Sequence, residues 1–265
     1  MRNHSYKICY FTVVLPSRQK LMSRLGQYIL FIASLFKNRE SFATYFRLTI
    51  DECVYIGLNS IVIVSIVSVF MGAVSTVQTA YNLVNPLIPQ SVIGLIVRDL
   101  TILELAPTIT AIVFAGKVGS SIAGNLGTMR ITEQVDALEV MGINSASYLV
   151  LPKIVATVFM YPFLVILAGV LAIGGGLLAA NVAGAVAPAE FTTGLKTSFN
   201  EFGVFFALIK SVVFGFLISS ISAFMGYYTK GGALEVGQSS TRAVTVSCIA
   251  ILLSDFVLAQ LLLIK

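Results

Sequence analysis

Tryptophan is absent from this 265-residue chain, histidine occurs once and cysteine three times. Without tryptophan, any aromatic belt at a membrane boundary must be built from tyrosine and phenylalanine. The single histidine, His4, stands near the N-terminus, so chemistry that needs an imidazole base or several imidazole ligands has almost no source. Cys9, Cys53 and Cys248 are odd in number and have no C-x-x-C spacing. They give no disulfide framework and no metal set. Charge is also scarce: 11% of residues are charged, against about 25% in a typical soluble domain. With 57% hydrophobic residues and a mean hydropathy of +0.93, that is too little charge to solvate a globule of this size. A disordered chain, a disulfide-rich secreted domain and an ordinary soluble enzyme are excluded, and a polytopic membrane protein is the natural reading.

What charge there is has a pattern. Lysine and arginine number 17 against 12 acids, giving a net charge of +5. Eight of the basic residues precede residue 50, which fits a cytoplasmic N-terminus facing anionic lipid. The excess does not imply nucleic acid. Residues 1–21 read as a tail, because the apolar run Ile8–Leu15 is short and no A-x-A site follows; Met22 is an alternative start. Over residues 22–50, Leu25, Ile29, Ile32 and Phe36 form one helical stripe with Arg24, Lys37 and Arg39 outside it. This is the pattern of a helix lying in the inner interface.

Five apolar stretches have spanning length, at about 54–77, 97–120, 154–183, 204–227 and 243–264. Pro107 should kink the second and Pro162 interrupts the third. The fold class is therefore an all-α integral membrane protein: five transmembrane helices, an N-terminal interfacial helix and one more helix on the inner surface. With the N-terminus inside, inner segments hold thirteen of the seventeen basic residues, as the positive-inside bias requires. On the third span, Ala168, Ala172, Gly176, Ala180 and Gly184 recur every four residues. Such a stripe serves close helix packing, either within one subunit or across a dimer.

The most polar internal stretch is AGKVGSSIAGNLGTMRITEQVDALEVMGI, Ala115–Ile143. Thr128–Met141 reads as a helix stopped by Gly142. Ile131, Val135 and Leu138 share one face, and Glu133, Asp136 and Glu139 another. It is too short and too charged to span. No G-x-x-x-x-G-K-[ST] loop occurs in the chain, so an ATP-driven transporter of this sequence would take its energy from a separate subunit. A rigid surface helix between two spans suits such docking; it also suits simple capping of the bundle.

Glu104–Ile143, ELAPTITAIVFAGKVGSSIAGNLGTMRITEQVDALEVMGI, closely resembles the signature of the MlaE family, the permeases of bacterial lipid ABC transporters that work with MCE-domain proteins. The family pattern runs E-L-G-P, then A-G-R-x-G, then E-L-G-T-M-x-x-T-E-Q-x-D-A-L-x-x-M-G. Tyr227–Ser247, YYTKGGALEVGQSSTRAVTVS, resembles the family's loop into the last span. Three positions depart from the pattern: Ala106 for Gly, Lys117 for Arg and Asn125 for Glu.

The resemblance, which covers about residues 22–265 as one permease domain, implies a homodimer in the bacterial inner membrane. It implies two cytoplasmic ABC ATPase subunits that hold the ATP and magnesium, a periplasmic MCE-domain protein, and phospholipid as cargo carried between inner and outer membranes. The chain itself would bind no cofactor. The helix 128–141 would be the coupling helix, with Arg130, Glu133, Asp136 and Glu139 as polar contacts to the ATPase and Met129 and Leu138 as buried ones.

Two acids lie in apolar surroundings, Glu104 and Asp255. Such residues face a bundle interior or a wet cavity. Glu104 matches the family's E-L-G-P glutamate and is a candidate for the lipid path, or it pairs with Arg98 or Lys210. Asp255 satisfies polar groups between helices or lines the same path. Ser60, Ser65, Ser68 and Ser75 line a wet face of the first span or bond their own helix. The competing function is an ion-driven secondary transporter using Glu104 and Asp255. Intramembrane enzymes fare worse: a zinc site and a serine–histidine dyad lack histidine, and Asp99 and Asp255 sit in no G-x-G-D context.

Overall fold

The computed structural model describes residues 18–35, 42–83, 89–184 and 186–263. Every regular element among them is helical. Most of the expected tail, 1–21, lies outside the described residues, but a helix α1 (Arg18–Ser34) begins a turn before Met22. The expected stripe is not the packing face: Ile32 is half-buried, Phe36 lies outside the described residues, and the buried residues stand off the stripe. Leu25 and Ile29 are exposed, whereas Phe31 and Leu35 are buried. Phe31 packs on Phe224, Tyr227 and Tyr228 with centroids 5.4–5.7 Å apart. Thus α1 rests one side on the bundle and leaves leucine and isoleucine outward, as a helix lying in lipid does.

Four helices among the described residues are long and apolar enough to cross a membrane. They are α2 (Phe42–Asn82), α7 (Ser145–Ala183), α9 (Glu201–Tyr227) and α10 (Ala233–Leu263). They contain the expected first, third and fourth spans and the fifth except residue 264, which lies outside the described residues, and each is longer than its apolar core. At about 1.5 Å per residue, α2 measures about 60 Å, twice a bilayer core. Helix therefore runs beyond the expected spans, to Asn82 in α2 and from Ala233 in α10, and the stretch between the third and fourth spans contains α8 (Pro188–Lys196).

The expected second span, 97–120, is not one regular helix. The chain runs through α3 (Ser91–Leu100), a π stretch at Thr101–Ile109, α4 (Thr110–Phe114), a second π stretch at Ala115–Gly119 and α5 (Ser120–Ile131). Pro107 lies inside the first π stretch. Its missing N–H and its ring make regular α-bonding impossible there, and a wider turn absorbs the fault. Tyr161, fully buried on α7, donates to the Pro107 carbonyl at 2.7 Å. The predicted kink is therefore a change of helix type held by a neighbour.

The small-residue stripe on α7 packs within the subunit. A Cβ at Gly72 of α2 would stand 1.8 Å from the Ala172 carbonyl oxygen, one at Gly176 would stand 2.5 Å from Thr76 Oγ1, and one at Gly175, beside the stripe, 2.2 Å from the Val69 carbonyl oxygen. The two backbones touch where only glycine fits. Gly184 leaves the stripe; with φ +60 it caps α7.

Arg98 fastens α3 to the chain after α8. It is 2% exposed, donates to the carbonyls of Leu195, Thr197 and Ser198, and pairs with Asp99 at 2.7 Å. A lysine cannot span these acceptors with one ammonium. Arg98→Lys should lower thermal stability in detergent by about 1–3 kcal/mol through unsatisfied buried carbonyls, and an unchanged melting curve would contradict the staple.

Candidate functional site

The interior of the bundle holds one ammonium between two carboxylates. Lys210 of α9 is fully buried. Its Nζ lies 3.0 Å from Glu104 Oε1, in the first π stretch, and 2.6 Å from Asp255 Oδ1, on α10. It also donates to the Leu103 carbonyl at 3.0 Å and stands 4.7 Å from the centre of the Phe206 ring.

The local sequence explains this site. Pro107 has no N–H to offer the Leu103 carbonyl four residues back, and Lys210 donates to that carbonyl. The same turn aims Glu104 at the lysine. Three elements are thereby tied at one point in the apolar zone. A buried charge that is paired and hydrogen-bonded is the only inexpensive kind.

Of the two partners considered for Glu104, the structure selects Lys210; Arg98 is engaged elsewhere. Glu104 and Asp255, distant in sequence, meet on one cation. In the sequence Lys210 is only one of two possible partners for Glu104. Only its placement inside an uncharged apolar run marked it. The cluster carries two negative charges for one positive. The Glu104 side chain is 41% exposed and that of Asp255 17%, with its Oδ1 buried, so Glu104 is the outward side of the cluster. Such an arrangement can receive a cationic or hydroxyl-bearing polar group on its Glu104 side.

The second region is the turn between α5 and α7. Expected as one helix over 128–141, it is two: α5 ends at Ile131 and α6 spans Gln134–Val140. Glu133 separates them in the left-handed conformation, φ +60, which few side chains adopt without support. Gly142, φ +81, follows the end of α6, as expected of a C′ glycine. Asn144 accepts from the Ser147 N–H at 3.2 Å and opens α7.

The side chains of this turn divide. Val135 is buried and Met129 packs on the main core. Arg130 reaches Asp136 at 2.6 Å and lies 5.9 Å from the Tyr227 ring centre. Glu139 accepts from Ser145 at 2.9 Å and Tyr227 at 3.1 Å. Hence Arg130, Asp136 and Glu139 already have partners inside the subunit, while Glu133 is exposed and Leu138 half-buried. Sequence reasoning missed Val140 and Met141, 88% and 65% exposed. They give the tip an apolar point that the expected helical face did not contain.

A family model described as permease MlaE matches residues 49–261. A probable ABC transporter permease protein of Rickettsia bellii is 34% identical over 91% of this chain and 93% of its own length. One from Synechocystis is 38% identical over 82% of each. The Arabidopsis thaliana protein named TRIGALACTOSYLDIACYLGLYCEROL 1, chloroplastic, is 32% identical over 82% of this chain and 61% of its own length.

Proposed function

As this chain belongs to the MlaE permease family, we propose that it is the membrane subunit of an ATP-driven phospholipid transporter working between inner and outer membranes. ABC transporter permeases draw on nucleotide bound by partner ATPase subunits, and this sequence contains no phosphate-binding loop of its own. The observation that carries the lipid reading is the buried Lys210 held by Asp255 and by the partly exposed Glu104 in an apolar bundle. A phospholipid needs an apolar slot for its chains and polar contacts for its head. The Arabidopsis relative's name, which contains a galactolipid, supports a lipid cargo.

On this reading residues 22–265 are one permease domain with five spans, the segmented run 91–131 being the second. The N-terminus is cytoplasmic, in line with the basic-residue bias. Two copies pair in the inner membrane, two ATPases dock below, and an MCE-domain protein receives or delivers lipid on the other side. Glu104 and Asp255, with Lys210, stand on the lipid path. The turn carrying Met129, Arg130, Glu133, Asp136, Leu138 and Glu139 meets the ATPase.

Co-purification in mild detergent from the native membrane, with mass spectrometry of proteins and lipids, tests this. An ATPase, an MCE protein and phospholipid should come with the chain. The pair Glu133→Lys and Asp136→Lys, both at exposed positions, should cut ATPase recovery at least about tenfold through interface charge reversal. Transport that needs no ATPase and stops when the ion gradient is dissipated would favour the ion-driven alternative.

A further inference from the structure

A second polar site lies at the other end of the spans. A cleft of about 180 Å³ opens between α2, the second π stretch with α5, and α7. Thirteen residues separate Lys117, on its wall, from Glu104, which is about 20 Å along a helix axis. The cleft is therefore distinct from the Lys210 cluster and sits towards the side that the basic-residue bias places inside.

Its charged lining is Lys117, Lys153 and Glu52. Glu52 pairs with Lys153, whose side chain is 10% exposed. Lys117 has no carboxylate partner among the described residues; it donates to the Asn59 backbone carbonyl. One positive charge is thus left over. Asn125 also lines the cleft, at the position where the family pattern has glutamate. A glutamate there would cancel the surplus; asparagine leaves it.

Ser60 gives an independent sign of a missing ligand. It lines the cleft, is 1% exposed, and its hydroxyl has no hydrogen-bond partner among the described residues. Ser68, Thr76 and Thr79 on the same helix each bond the carbonyl four residues back, whereas Ser75, like Ser60, has no partner among the described residues but lies away from the cleft. Ser60 does not take that ordinary route. A buried hydroxyl without a partner is costly, and an acceptor oxygen entering the cleft would satisfy it.

We infer that this cleft binds a phosphate-bearing anion, the headgroup of an acidic lipid of the same leaflet. Lys117 supplies the unpaired charge, Ser60 a hydroxyl donor and Asn125 an amide donor. The volume is below the about 300–1,000 Å³ of sites that enclose whole small molecules. It admits a headgroup phosphate and leaves the acyl chains along the apolar outer faces of the helices.

The test uses the purified chain in nanodiscs of phosphatidylcholine, alone or doped with phosphatidylglycerol, with retained lipid counted by native mass spectrometry. Wild type should retain phosphatidylglycerol about fivefold over its share of the bilayer, a preference typical of one extra basic residue. Lys117→Arg should keep the preference. Asn125→Glu and Lys117→Gln should abolish it. In a second arm, inorganic phosphate is titrated into phosphatidylcholine nanodiscs. Saturable thermal stabilisation that disappears in Asn125→Glu, without any phosphatidylglycerol preference, would assign the same anion site to free phosphate rather than lipid.

Neither effect in wild type would overturn the inference, as would a preference that survives Asn125→Glu. Because Asn125 is exposed, that variant decides the matter even if Lys117→Gln does not fold. No ATPase or nucleotide takes part, so this result and the transport reading can fail separately.

Discussion

Lys210→Met should destabilise the protein by about 3 kcal/mol, the cost of leaving a buried ionic cluster without one partner. The ammonium is fully enclosed, while Glu104 and Asp255 converge on it at 3.0 and 2.6 Å. Methionine fills much of the same volume but gives nothing to the two carboxylates or to the Leu103 carbonyl. The partial exposure of Glu104 moderates the loss, because one of the two freed charges reaches a wetter environment. The triple variant Lys210→Met, Glu104→Gln, Asp255→Asn removes the uncompensated charge and should regain most of the stability. Melting in detergent measures both. If the triple variant melts like wild type yet moves no lipid in a reconstituted ATP-dependent assay, the cluster acts on the cargo. If it also transports at the wild-type rate, the ions serve packing alone and the lipid-path assignment falls.

That site was half legible in the sequence. An acid inside an apolar run is conspicuous, so Glu104 and Asp255 stood out without any structure. Lys210 is legible only as one of two possible partners for Glu104, because the choice depends on a long-range meeting of α9 with the turn before Pro107. Nothing local in the sequence reports that meeting. The apolar spans were legible for the same reason that their ends were not. Hydropathy fixes where lipid can be crossed, but α2 and α7 continue as helices well past their apolar cores, since tertiary contacts sustain a helix where composition alone would stop it. The π stretches follow the same logic: Pro107 announces a fault, and only Tyr161 and Lys210 decide how it is repaired.

The turn at 128–141 shows the opposite limit. Periodicity correctly put Val135 inside and Glu133 outside, yet the helix breaks at Thr132 and Glu133. Neither residue is a strong breaker. The break turns on Glu133 at φ +60 and leaves Val135 buried and Met129 packed on the main core, an arrangement that does not appear in a helical wheel. The break is also what brings Arg130 and Asp136, six residues apart, to 2.6 Å; on a continuous helix that spacing would point them to different sides.

The contact of α2 with α7 makes the sharpest packing prediction, because Gly174, Gly175 and Gly176 present three neighbouring directions from one helix. A Cβ at Gly174 meets nothing within 4 Å, whereas one at Gly175 would stand 2.2 Å from the Val69 carbonyl oxygen, and one at Gly72 1.8 Å from that of Ala172. The obstructing atoms at Gly175 and Gly72 are backbone, so no rotamer change makes room. Gly72→Ala or Gly175→Ala should cost at or above the upper end of the about 1–3 kcal/mol typical of overpacking, since two long helices must separate. Gly174→Ala should be neutral or stabilise by up to about 1 kcal/mol through reduced freedom of the unfolded backbone. Melting curves of the three variants in one detergent check the pattern. Equal loss at all three positions would mean that the triple glycine serves helix flexibility; loss confined to Gly72 and Gly175 would mean that it serves contact, and that the stripe is spent inside one subunit rather than on a second copy.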